Sequence, residues 1–285
     1  FTGKVLYSDL QRTGYIHTSN EKINRLYENT VWGMKSNFLD MPTDCPQRNE
    51  RLGWTGDAQV FSPTASYHMD TRAFFHKFVK DLRDEQKFLD GAIPNYVPNI
   101  GHKDDAGSVW GDIGTFLPYT LYRYYGSLEE LEYCFPMMKD WVDYIDRKDA
   151  ERGERHYLFD FGFHFGDWLA LDGPTQESFK GSTDDTYIAS MYYCQSVKIV
   201  KEAAEKLGKT EDAARYAELE EKIRDAILRE YFTPNGRLAM STQASYVIAL
   251  KFGIYIDRER TISEFRERLK KDGNQIKCGF VGAPL

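Results

Sequence analysis

The sequence predicts an all-α fold, and two features of its pattern support this. Apolar residues recur every three or four positions in about eight or nine segments, the spacing that places them on one face of an α-helix. Long loops rich in Gly, Pro, Asp and Trp separate these segments at 40–57, 90–110 and 156–174. Loops of that length in a compact domain usually carry function. With 285 residues, the chain can bury the core of one large helical domain.

The N-terminal segment differs from the rest of the chain. Residues 1–19 alternate loosely around Gly14, which favours a short strand pair or a linker that ends a preceding β domain. We therefore expect the helical domain to occupy 20–285. Its first helix begins after Asn20, and Trp32 lies on the apolar face of that helix, which predicts a core position.

A helical hairpin is predicted in the second half of the chain. Asp184 and Asp185 can cap one helix, Gly208 can end it, and a second helix opens at Thr210. Trp141 lies on another apolar helix face and is also predicted to be buried. The remaining periodic segments predict helices at 74–82, 113–121, 138–145, 244–248 and 262–269.

Charge and hydropathy exclude several partners. The formal charge is −7 with a pI near 5.5, and the longest basic stretch is the short one around Lys270 and Lys271. Nucleic acid and anionic membranes are therefore not expected as partners. No window approaches the roughly 20 apolar residues of a membrane span, and the first residues lack the pattern of a signal peptide. We expect a soluble protein, whose compartment and any homodimer formation the sequence leaves open.

Aromatic residues are unusually frequent. The chain has 19 Tyr, 18 Phe and 5 Trp, more than a helical core usually requires. The apolar C–H faces of sugar rings stack on aromatic planes, so this excess favours carbohydrate binding, with ordinary core packing as the alternative. The four cysteines lie far apart without a C-x-x-C spacing and are predicted to be free thiols.

The chain lacks the usual motifs of several enzyme classes. It has no G-x-S-x-G elbow, no phosphate-binding Gly loop and no dinucleotide fingerprint, and we expect no cofactor. Its six histidines lack the spacing of a zinc site such as H-E-x-x-H, so no metal is expected either. His102, beside Lys103, Asp104 and Asp105, stays open as a substrate contact.

The densest cluster of reactive side chains lies in the loop 44–57, DCPQRNERLGWTGD. An acid held near an indole ring and other carboxylates keeps its proton at a higher pH, whereas guanidinium groups oppose this. From the spacing alone, a solvated, salt-bridged loop is an equal alternative. The cluster combines three carboxylates, two guanidinium groups and an indole: Asp44, Arg48, Glu50, Arg51, Trp54 and Asp57.

The string DCPQRNERLGWTGDAQ, preceded by MPT, closely resembles the signature loop of the bacterial α-L-rhamnosidases of glycoside hydrolase family 78. A weaker resemblance extends to VWGDIGTFLPYTLYRYYG, FGDWLALDGP and the terminal GFVGAPL, and it covers nearly the whole chain. It implies an (α/α)6 barrel of six helix pairs. It also implies removal of terminal α-linked L-rhamnose, with inversion, from rhamnose-containing glycosides or polysaccharides.

The resemblance also implies roles for individual residues. Glu50 matches the general acid, Asp44, Arg48 and Asp57 match groups that bind the rhamnose hydroxyls, and Trp54 matches a ring beside the sugar. Further pocket-lining positions are matched by Trp110, Asp112, Asp167 and Trp168. Judged without the resemblance, Asp112 could equally be the N-cap of the helix that follows it.

The chain departs from the family pattern in two ways. Asn49 stands where the family commonly has Asp, which keeps the size and removes the charge. The family's general base lies downstream of GFVGAPL, and the periodic segments are fewer than the twelve helices of six pairs. We therefore expect a barrel that is incomplete at its C-terminus, and a 285-residue chain that does not release rhamnose by itself.

Two other functions stay open from the sequence. One is another sugar-active (α/α)6 enzyme, either a glycosidase of different specificity or a polysaccharide lyase, which would leave an unsaturated product. The other is a non-catalytic carbohydrate-binding fragment, which would bind rhamnose without hydrolysis in the parent protein. The aglycone and the linkage preference are not readable from the sequence.

Overall fold

The fold is dominated by helices, as the sequence predicts. The computed structural model describes residues 1–101, 106–175 and 177–285. These residues contain nine helices: α1 Glu21–Asn37, α2 Thr55–His68, α3 Arg72–Phe88, α4 Ile113–Tyr125, α5 Leu128–Glu151, α6 Asp185–Lys206, α7 Thr210–Tyr231, α8 Gln243–Phe252 and α9 Arg258–Lys271. Four two-residue strands form two antiparallel pairs, β1 Phe38–Leu39 with β2 Met41–Pro42 and β3 Gly53–Trp54 with β4 Tyr96–Val97.

The helices form two layers. In the inner layer α2 packs on α4, α4 on α6, and α6 on α8. Each of these outer helices packs on the inner helix that precedes it in the chain: α5 on α4, α7 on α6 and α9 on α8. This alternation of inner and outer helices is the arrangement of a barrel built from helical hairpins.

Burial follows the two layers. The inner helix α6 buries residues on all its sides, including Tyr187, Tyr193 and Val197. The outer helix α7 buries one stripe that contains Tyr216 and Ile223 and exposes its charged face. A helix that is apolar all round needs neighbours on every side, whereas an amphipathic helix covers the core from one side. The sequence patterns of α6 and α7 therefore agree with the layer in which each helix lies.

The predicted ends of the hairpin are confirmed. The Asp184 side chain accepts a hydrogen bond from the backbone N–H of Tyr187 at 2.8 Å and caps α6. After α6, Gly208 adopts a φ of 69°, a left-handed conformation that costs glycine little. The second helix then begins at Thr210. These local signals allow α6 and α7 to fold back on each other.

One predicted loop is wrong at its C-terminal end, because α2 begins at Thr55 inside the expected loop 40–57. The buried residues of α2 are mostly small or polar, among them Ala58, Gln59 and Ser62. Such a helix has no apolar stripe, so the hydrophobic period does not reveal it.

The two tryptophans predicted to be core residues differ. Trp141 is fully buried, which confirms the prediction. The prediction for Trp32 is wrong, because 56% of its surface is exposed. On α1 it is Val31 and Met34, rather than Trp32, that face the core.

The N-terminal segment is attached to the barrel without a strand pair. Arg12 forms a single β-bridge with Met69, and the N–H groups of Thr13 and Gly14 donate to the carbonyl of His68. The domain boundary at residue 20 stays a prediction. Within the described ranges, no helix combines the length and apolar character that crossing a bilayer requires. All four cysteines are free, as predicted.

Gly111 tests how tightly the inner layer is packed. A Cβ atom at this position would overlap the Trp141 ring, whereas a Cβ atom at Gly33, on α1, would meet nothing within 4 Å. We expect Gly111→Ala to lower the free energy of unfolding by about 1–3 kcal/mol, because overpacking a core forces its side chains to move. The matched control Gly33→Ala should be neutral or stabilise by up to about 1 kcal/mol. Urea unfolding of both variants measures this, and equal stabilities would contradict the packing described.

Candidate active site

The predicted acidic loop ends in a rigid anchor. Gly53 and Trp54 pair with β4. Thr55, the first residue of α2, donates its N–H to the carbonyl of Asn95 at 3.0 Å and its hydroxyl to the carbonyl of Pro94 at 3.0 Å. These bonds fix the start of α2 and the backbone of Trp54, whose side chain carries the next contact.

Glu50 lies between an indole and a guanidinium group. The Trp54 Nε1–H donates to Glu50 Oε1 at 2.5 Å, and Arg48 Nε donates to Glu50 Oε2. The Glu50 side chain is 17% exposed, whereas that of Arg48 is 60% exposed. The Glu50 side chain is therefore largely buried, and each of its carboxylate oxygens accepts a hydrogen bond from one of these two partners.

Asp44 carries an acceptor without a partner. Its Oδ2 accepts from Cys45 Sγ at 2.9 Å and lies 3.9 Å from Arg48 Nη2, while its Oδ1 is buried and has no hydrogen-bond partner. The hydrogen bond to Asp44 raises the pKa of the Cys45 thiol, with burial adding to the effect. A buried carboxylate oxygen without a donor is costly unless a ligand or water supplies one.

Asp44 and Asp57 line one cavity. The Asp44 pocket, as we name it, has a volume of about 380 Å³, within the range common for small-molecule sites. Apolar groups, including Phe61 and Phe280, form much of its remaining wall. Glu50 is not among the lining residues, but one of its carboxylate oxygens lies within 4.8 Å of one on Asp44. The pocket and the acid are therefore adjacent.

Asp57 lies in the first turn of α2. Burial raises its pKa to about 7, and the charges of Asp44 and Glu50 add to this rise, while a backbone hydrogen bond opposes it. Near neutral pH, Asp57 is therefore divided between a form that can donate a proton to a hydrogen bond and a form that only accepts. Sugar hydroxyls can pair with either form.

An aromatic cluster borders the acid on another side. Phe165 lies at its centre, and we call it the Phe165 ring cluster. The Phe165 ring centroid lies 5.9 Å from that of Trp54, 4.2 Å from Trp110, 5.0 Å from Phe163 and 5.5 Å from Trp168. The cluster connects the Trp54 contact of Glu50 to two other predicted site residues.

Trp110 forms the buried wall of this cluster. It is 3% exposed, and a Cβ atom at Gly56 would lie 2.6 Å from its ring. Phe280 of the terminal GFVGAPL lies 5.3 Å away, centroid to centroid. The indole N–H of Trp110 is buried without a hydrogen-bond partner. The Trp110 ring thus packs against the first turn of α2.

Asp112 binds protein groups in the structure, and its predicted place among the pocket-lining residues stays a prediction. Its side chain is fully buried. One carboxylate oxygen accepts from Trp141 Nε1 at 2.9 Å and Ser196 Oγ at 2.7 Å. The other accepts from Ser108 Oγ at 3.0 Å and the N–H of Val109 at 2.7 Å. Burial raises the pKa of Asp112, and these four hydrogen bonds oppose that rise. Asp112 occupies the N-cap position of α4, but its side chain makes no capping hydrogen bond to that helix.

Asp167 also binds protein groups, and its predicted place among the pocket-lining residues likewise stays a prediction. It is 1% exposed. Its carboxylate accepts the backbone N–H groups of Gly279 at 2.8 Å, Val281 at 3.0 Å and Gly282 at 3.0 Å. These three bonds hold the terminal segment so that Phe280 reaches both Trp110 and the Asp44 pocket. Asp167 therefore positions one wall of the site.

Trp168 lies at the outer rim of the ring cluster. It stacks on Phe179 with centroids 5.4 Å apart, and it lines a second, shallow cavity with Lys180 and Asp184.

The sequence does not predict two aromatic residues of the site, Phe165 and Phe280. Both residues stand inside the strings FGDW and GFVGAPL, which carry the resemblance, but the resemblance implies roles only for the polar and Trp positions of these strings.

Two other predictions concern metals and histidines. Asp44, Cys45 and Glu50 have ligand atoms within 4.8 Å of one another, a spacing that a metal ion could also use. However, Arg48 is bonded to Glu50 and places a positive charge at this cluster. The predicted substrate contact at His102 lies outside the described residues.

The fold and the site together define a class of protein. Hydrogen bonds and ring contacts join the segments that precede the inner helices, for example Thr183 Oγ1 to Thr242 Oγ1 at 2.6 Å ahead of α6 and α8. These segments therefore lie at one end of the helical barrel, where carboxylates and indole rings meet. The chain is therefore a domain of helical hairpins with an acidic, aromatic site at one end.

Comparison with known proteins gives the family. Over residues 11–285 the chain matches the family described as the bacterial α-L-rhamnosidase six-hairpin glycosidase domain, and it belongs to that family. It is 36% identical to an α-L-rhamnosidase of Formosa agariphila, an alignment that covers 99% of the chain and 30% of the relative. It is 33% identical to one of Streptomyces avermitilis, covering 99% of the chain and 26% of the relative.

Solved structures agree with this assignment. The native α-L-rhamnosidase of Aspergillus terreus superposes with a TM-score of 0.88 at 33% identity, covering 97% of this chain and 32% of that one. The Streptomyces avermitilis enzyme in complex with L-rhamnose superposes with a TM-score of 0.87 at 33% identity, covering 98% of this chain and 26% of that one. The six-hairpin fold predicted from the sequence is thereby confirmed. The chain spans about 30% of the length of the relatives it matches.

The raised pKa of Asp57 predicts a pH dependence of stability. Because the folded-state pKa lies near 7 and the ordinary value is 3.8, folding favours the protonated form, and the free energy of unfolding falls as the pH rises from about 4 to about 7. Asp57→Asn removes the charge, so at pH 8 we expect it to stabilise the protein by up to about 4 kcal/mol. At pH 4 the variant and the parent should be nearly equal.

Urea unfolding at both pH values measures this effect. The control is Asp84→Asn, whose side chain is exposed on α3 and pairs only with Lys87; it should change stability by less than about 0.5 kcal/mol. If the difference between pH 4 and pH 8 is as large in Asp57→Asn as in the parent, the charge of Asp57 is not the cause.

Proposed function

We propose that this chain is the catalytic core of an enzyme that removes terminal α-linked L-rhamnose, with Glu50 as the general acid. Its natural substrates are rhamnose-containing glycosides or polysaccharides. The proposal rests on the family, on the relatives' printed activity, and above all on one observation. Asp44, whose Oδ1 is buried without a hydrogen-bond partner, lines a pocket together with Asp57, and Glu50 is adjacent to Asp44.

The pocket suits a monosaccharide. Asp44 Oδ1 lacks a hydrogen-bond donor, which a sugar hydroxyl supplies, and Asp57 can donate or accept near neutral pH. Apolar walls such as Phe61 and Phe280 suit the C–H faces of the ring and the methyl group of a 6-deoxy sugar. In this proposal Arg48, which links Asp44 to Glu50, orients both carboxylates around the sugar.

In this proposal Glu50 acts on the glycosidic bond just outside that pocket. A sugar held by Asp44 and Asp57 directs its glycosidic oxygen toward Glu50. A protonated Glu50 can then protonate that oxygen while the bond breaks through an oxocarbenium-like state. Trp54 fixes the orientation of the carboxyl group through its hydrogen bond, which limits the motion that would otherwise slow proton transfer.

The stereochemistry depends on the second carboxylate. An inverting enzyme needs a base about 6.5–9.5 Å from the acid, so that water fits between them, whereas retaining pairs lie about 5–5.5 Å apart. Asp44 and Glu50 have carboxylate oxygens within 4.8 Å of each other, closer than the two carboxyl groups of an inverting pair. We therefore propose that Asp44 binds the sugar and that a carboxylate outside residues 1–285 activates water on the opposite face.

Replacing Glu50 tests its role as an acid. In a full-length enzyme that carries this chain, Glu50→Gln should lower kcat for a rhamnoside with a poor leaving group by about 10²- to 10⁴-fold. The loss should be much smaller for an activated leaving group, which departs without protonation. Glu259→Gln, on the exposed face of α9, is the matched control and should leave both rates unchanged. A near-normal rate of Glu50→Gln on the poor leaving group would exclude the assignment.

The anomer released first tests inversion. We expect an α-L-rhamnoside to yield β-L-rhamnose as the initial product, because water attacks the face opposite to the leaving group. Proton NMR of the anomeric signal, recorded before mutarotation, measures this. If α-L-rhamnose accumulates first, the reaction retains configuration, and Asp44 becomes the candidate nucleophile.

A further inference from the structure

Val109 has a backbone conformation that its own side chain disfavours. It lies directly before Trp110, is buried, and adopts a φ of 69°. Among the described residues other than glycine that have a positive φ, only Val109 is β-branched, and such side chains rarely occupy the left-handed region. A conformation of this kind persists only where the surrounding structure holds it, and it is frequent at functional sites.

A buried carboxylate holds Val109 in place. The N–H of Val109 donates to Asp112 Oδ2 at 2.7 Å, and Ser108 Oγ donates to the same oxygen at 3.0 Å. Oδ1 accepts from Trp141 Nε1 and Ser196 Oγ, so α5 and α6 fix the carboxylate from its other side. Each oxygen thus accepts two donors, whereas the amide group of Asn offers an acceptor at only one of these two positions.

The Trp110 ring depends on its backbone and its packing for its position. Its indole N–H is buried and has no hydrogen-bond partner within the described part of the chain. The ring centroid lies 4.2 Å from that of Phe165 and 5.3 Å from that of Phe280. A Cβ atom at Gly56 would lie 2.6 Å from the ring, so the ring touches the backbone of α2 at this point.

This contact point lies next to the proposed catalytic groups. Gly56 is in the first turn of α2, two residues after Trp54 and one residue before Asp57. Trp54 is bonded to Glu50, and Asp57 lines the Asp44 pocket. Because no space separates the Trp110 ring from Gly56, a change in the Trp110 backbone displaces the turn that carries both groups.

We propose that Asp112 is a positioning residue for the reaction. By holding Val109 in the left-handed conformation, it fixes the Trp110 ring against α2 and thereby sets the position of Glu50 relative to the Asp44 pocket. This inference rests on the proposed function. It differs from a purely structural role of Asp112, which would affect the stability of the fold and leave the rate of the folded enzyme unchanged.

The test is a rescue experiment in a full-length enzyme that carries this chain. At a temperature where every variant is folded, Asp112→Asn should lower kcat/KM for methyl α-L-rhamnoside by about 10- to 100-fold, because small displacements of reacting groups slow catalysis strongly. Adding Val109→Gly should restore kcat/KM to within about threefold of the parent, since glycine adopts a positive φ without strain. The melting temperature should stay lowered, because the contacts of position 112 with Trp141 and Ser196 remain altered.

Two controls isolate the backbone effect. Val109→Ala also shortens the side chain but still disfavours a positive φ, so Asp112→Asn combined with Val109→Ala should stay impaired. Ser196→Ala removes a donor from Asp112 Oδ1 and leaves the bond to Val109. This variant should lower the melting temperature and leave kcat/KM unchanged.

Fluorine NMR follows the Trp110 ring independently of activity. The chain has five Trp residues, and in protein labelled with 5-fluorotryptophan the Trp110→Phe variant identifies the Trp110 signal. We expect this signal to shift or broaden in Asp112→Asn and to return to its parent position when Val109→Gly is added.

A second variant covers the case in which Asp112→Asn does not fold. Val109→Pro keeps Asp112 and its three side-chain donors, but proline cannot adopt a positive φ and has no N–H to donate. It should lower kcat/KM by about tenfold or more, as expected when the reacting groups are displaced. A rate within about twofold of the parent would overturn the proposal.

The remaining outcomes are also decisive. A normal kcat/KM in Asp112→Asn, or equal restoration by Val109→Gly and Val109→Ala, overturns the positioning role while the rhamnosidase activity of the parent stands. If the parent releases no rhamnose, the proposed function fails, and the fluorine signals still decide whether Asp112 fixes Trp110 through Val109.

Discussion

The site depends on one hydrogen bond, from the indole N–H of Trp54 to Glu50. Trp54 is the residue before α2, and its position is fixed by the β3–β4 pairing and by the bonds of Thr55 to the carbonyls of Pro94 and Asn95. A loop carboxylate would otherwise move with its backbone and point into water. Because the bond connects Glu50 to the first turn of an inner helix, the acid gains the rigidity of the barrel.

Two buried carboxylates support that arrangement from behind. Asp112 ties the start of α4 to Trp141 on α5 and Ser196 on α6, and Asp167 ties the loop before α6 to the terminal segment 279–282. A buried carboxylate is expensive unless donors surround it, so each of these fixes several groups at once. These hydrogen bonds also hold the segments that carry Trp110 and Phe280.

The sequence predicted those parts of the fold that local patterns encode. Amphipathic helices such as α1, α3 and α7 were found because one face is apolar, and the ends of α6 because Asp184 and Gly208 have specific backbone roles. Helix α2 was missed since its buried face is small and polar. The error at Trp32 has a different cause, because an apolar residue on a helix does not say which layer lies beside it.

The candidate site likewise contains features that the local sequence predicts and features that it does not. The loop 44–57 could be found because its unusual composition is local in the sequence, and the resemblance then gave its residues roles. The partners of Asp112 and Asp167 lie up to 84 and 115 residues away along the chain, and no local pattern reveals them. The raised pKa of Asp57 likewise arises from burial and neighbouring charges, which only the folded chain brings together.

The central claim is that the sugar lies between Asp44 and Asp57 with its glycosidic oxygen at Glu50. The most direct test is a crystal structure of a full-length enzyme carrying this chain, as the Glu50→Gln variant, with an uncleaved α-L-rhamnoside bound. The account predicts the glycosidic oxygen at about 2.6–3.2 Å from the Gln side chain, which is hydrogen-bonding distance, and a rhamnose hydroxyl on Asp44 Oδ1. A rhamnoside bound elsewhere, with the side chain at position 50 facing bulk water, would contradict it.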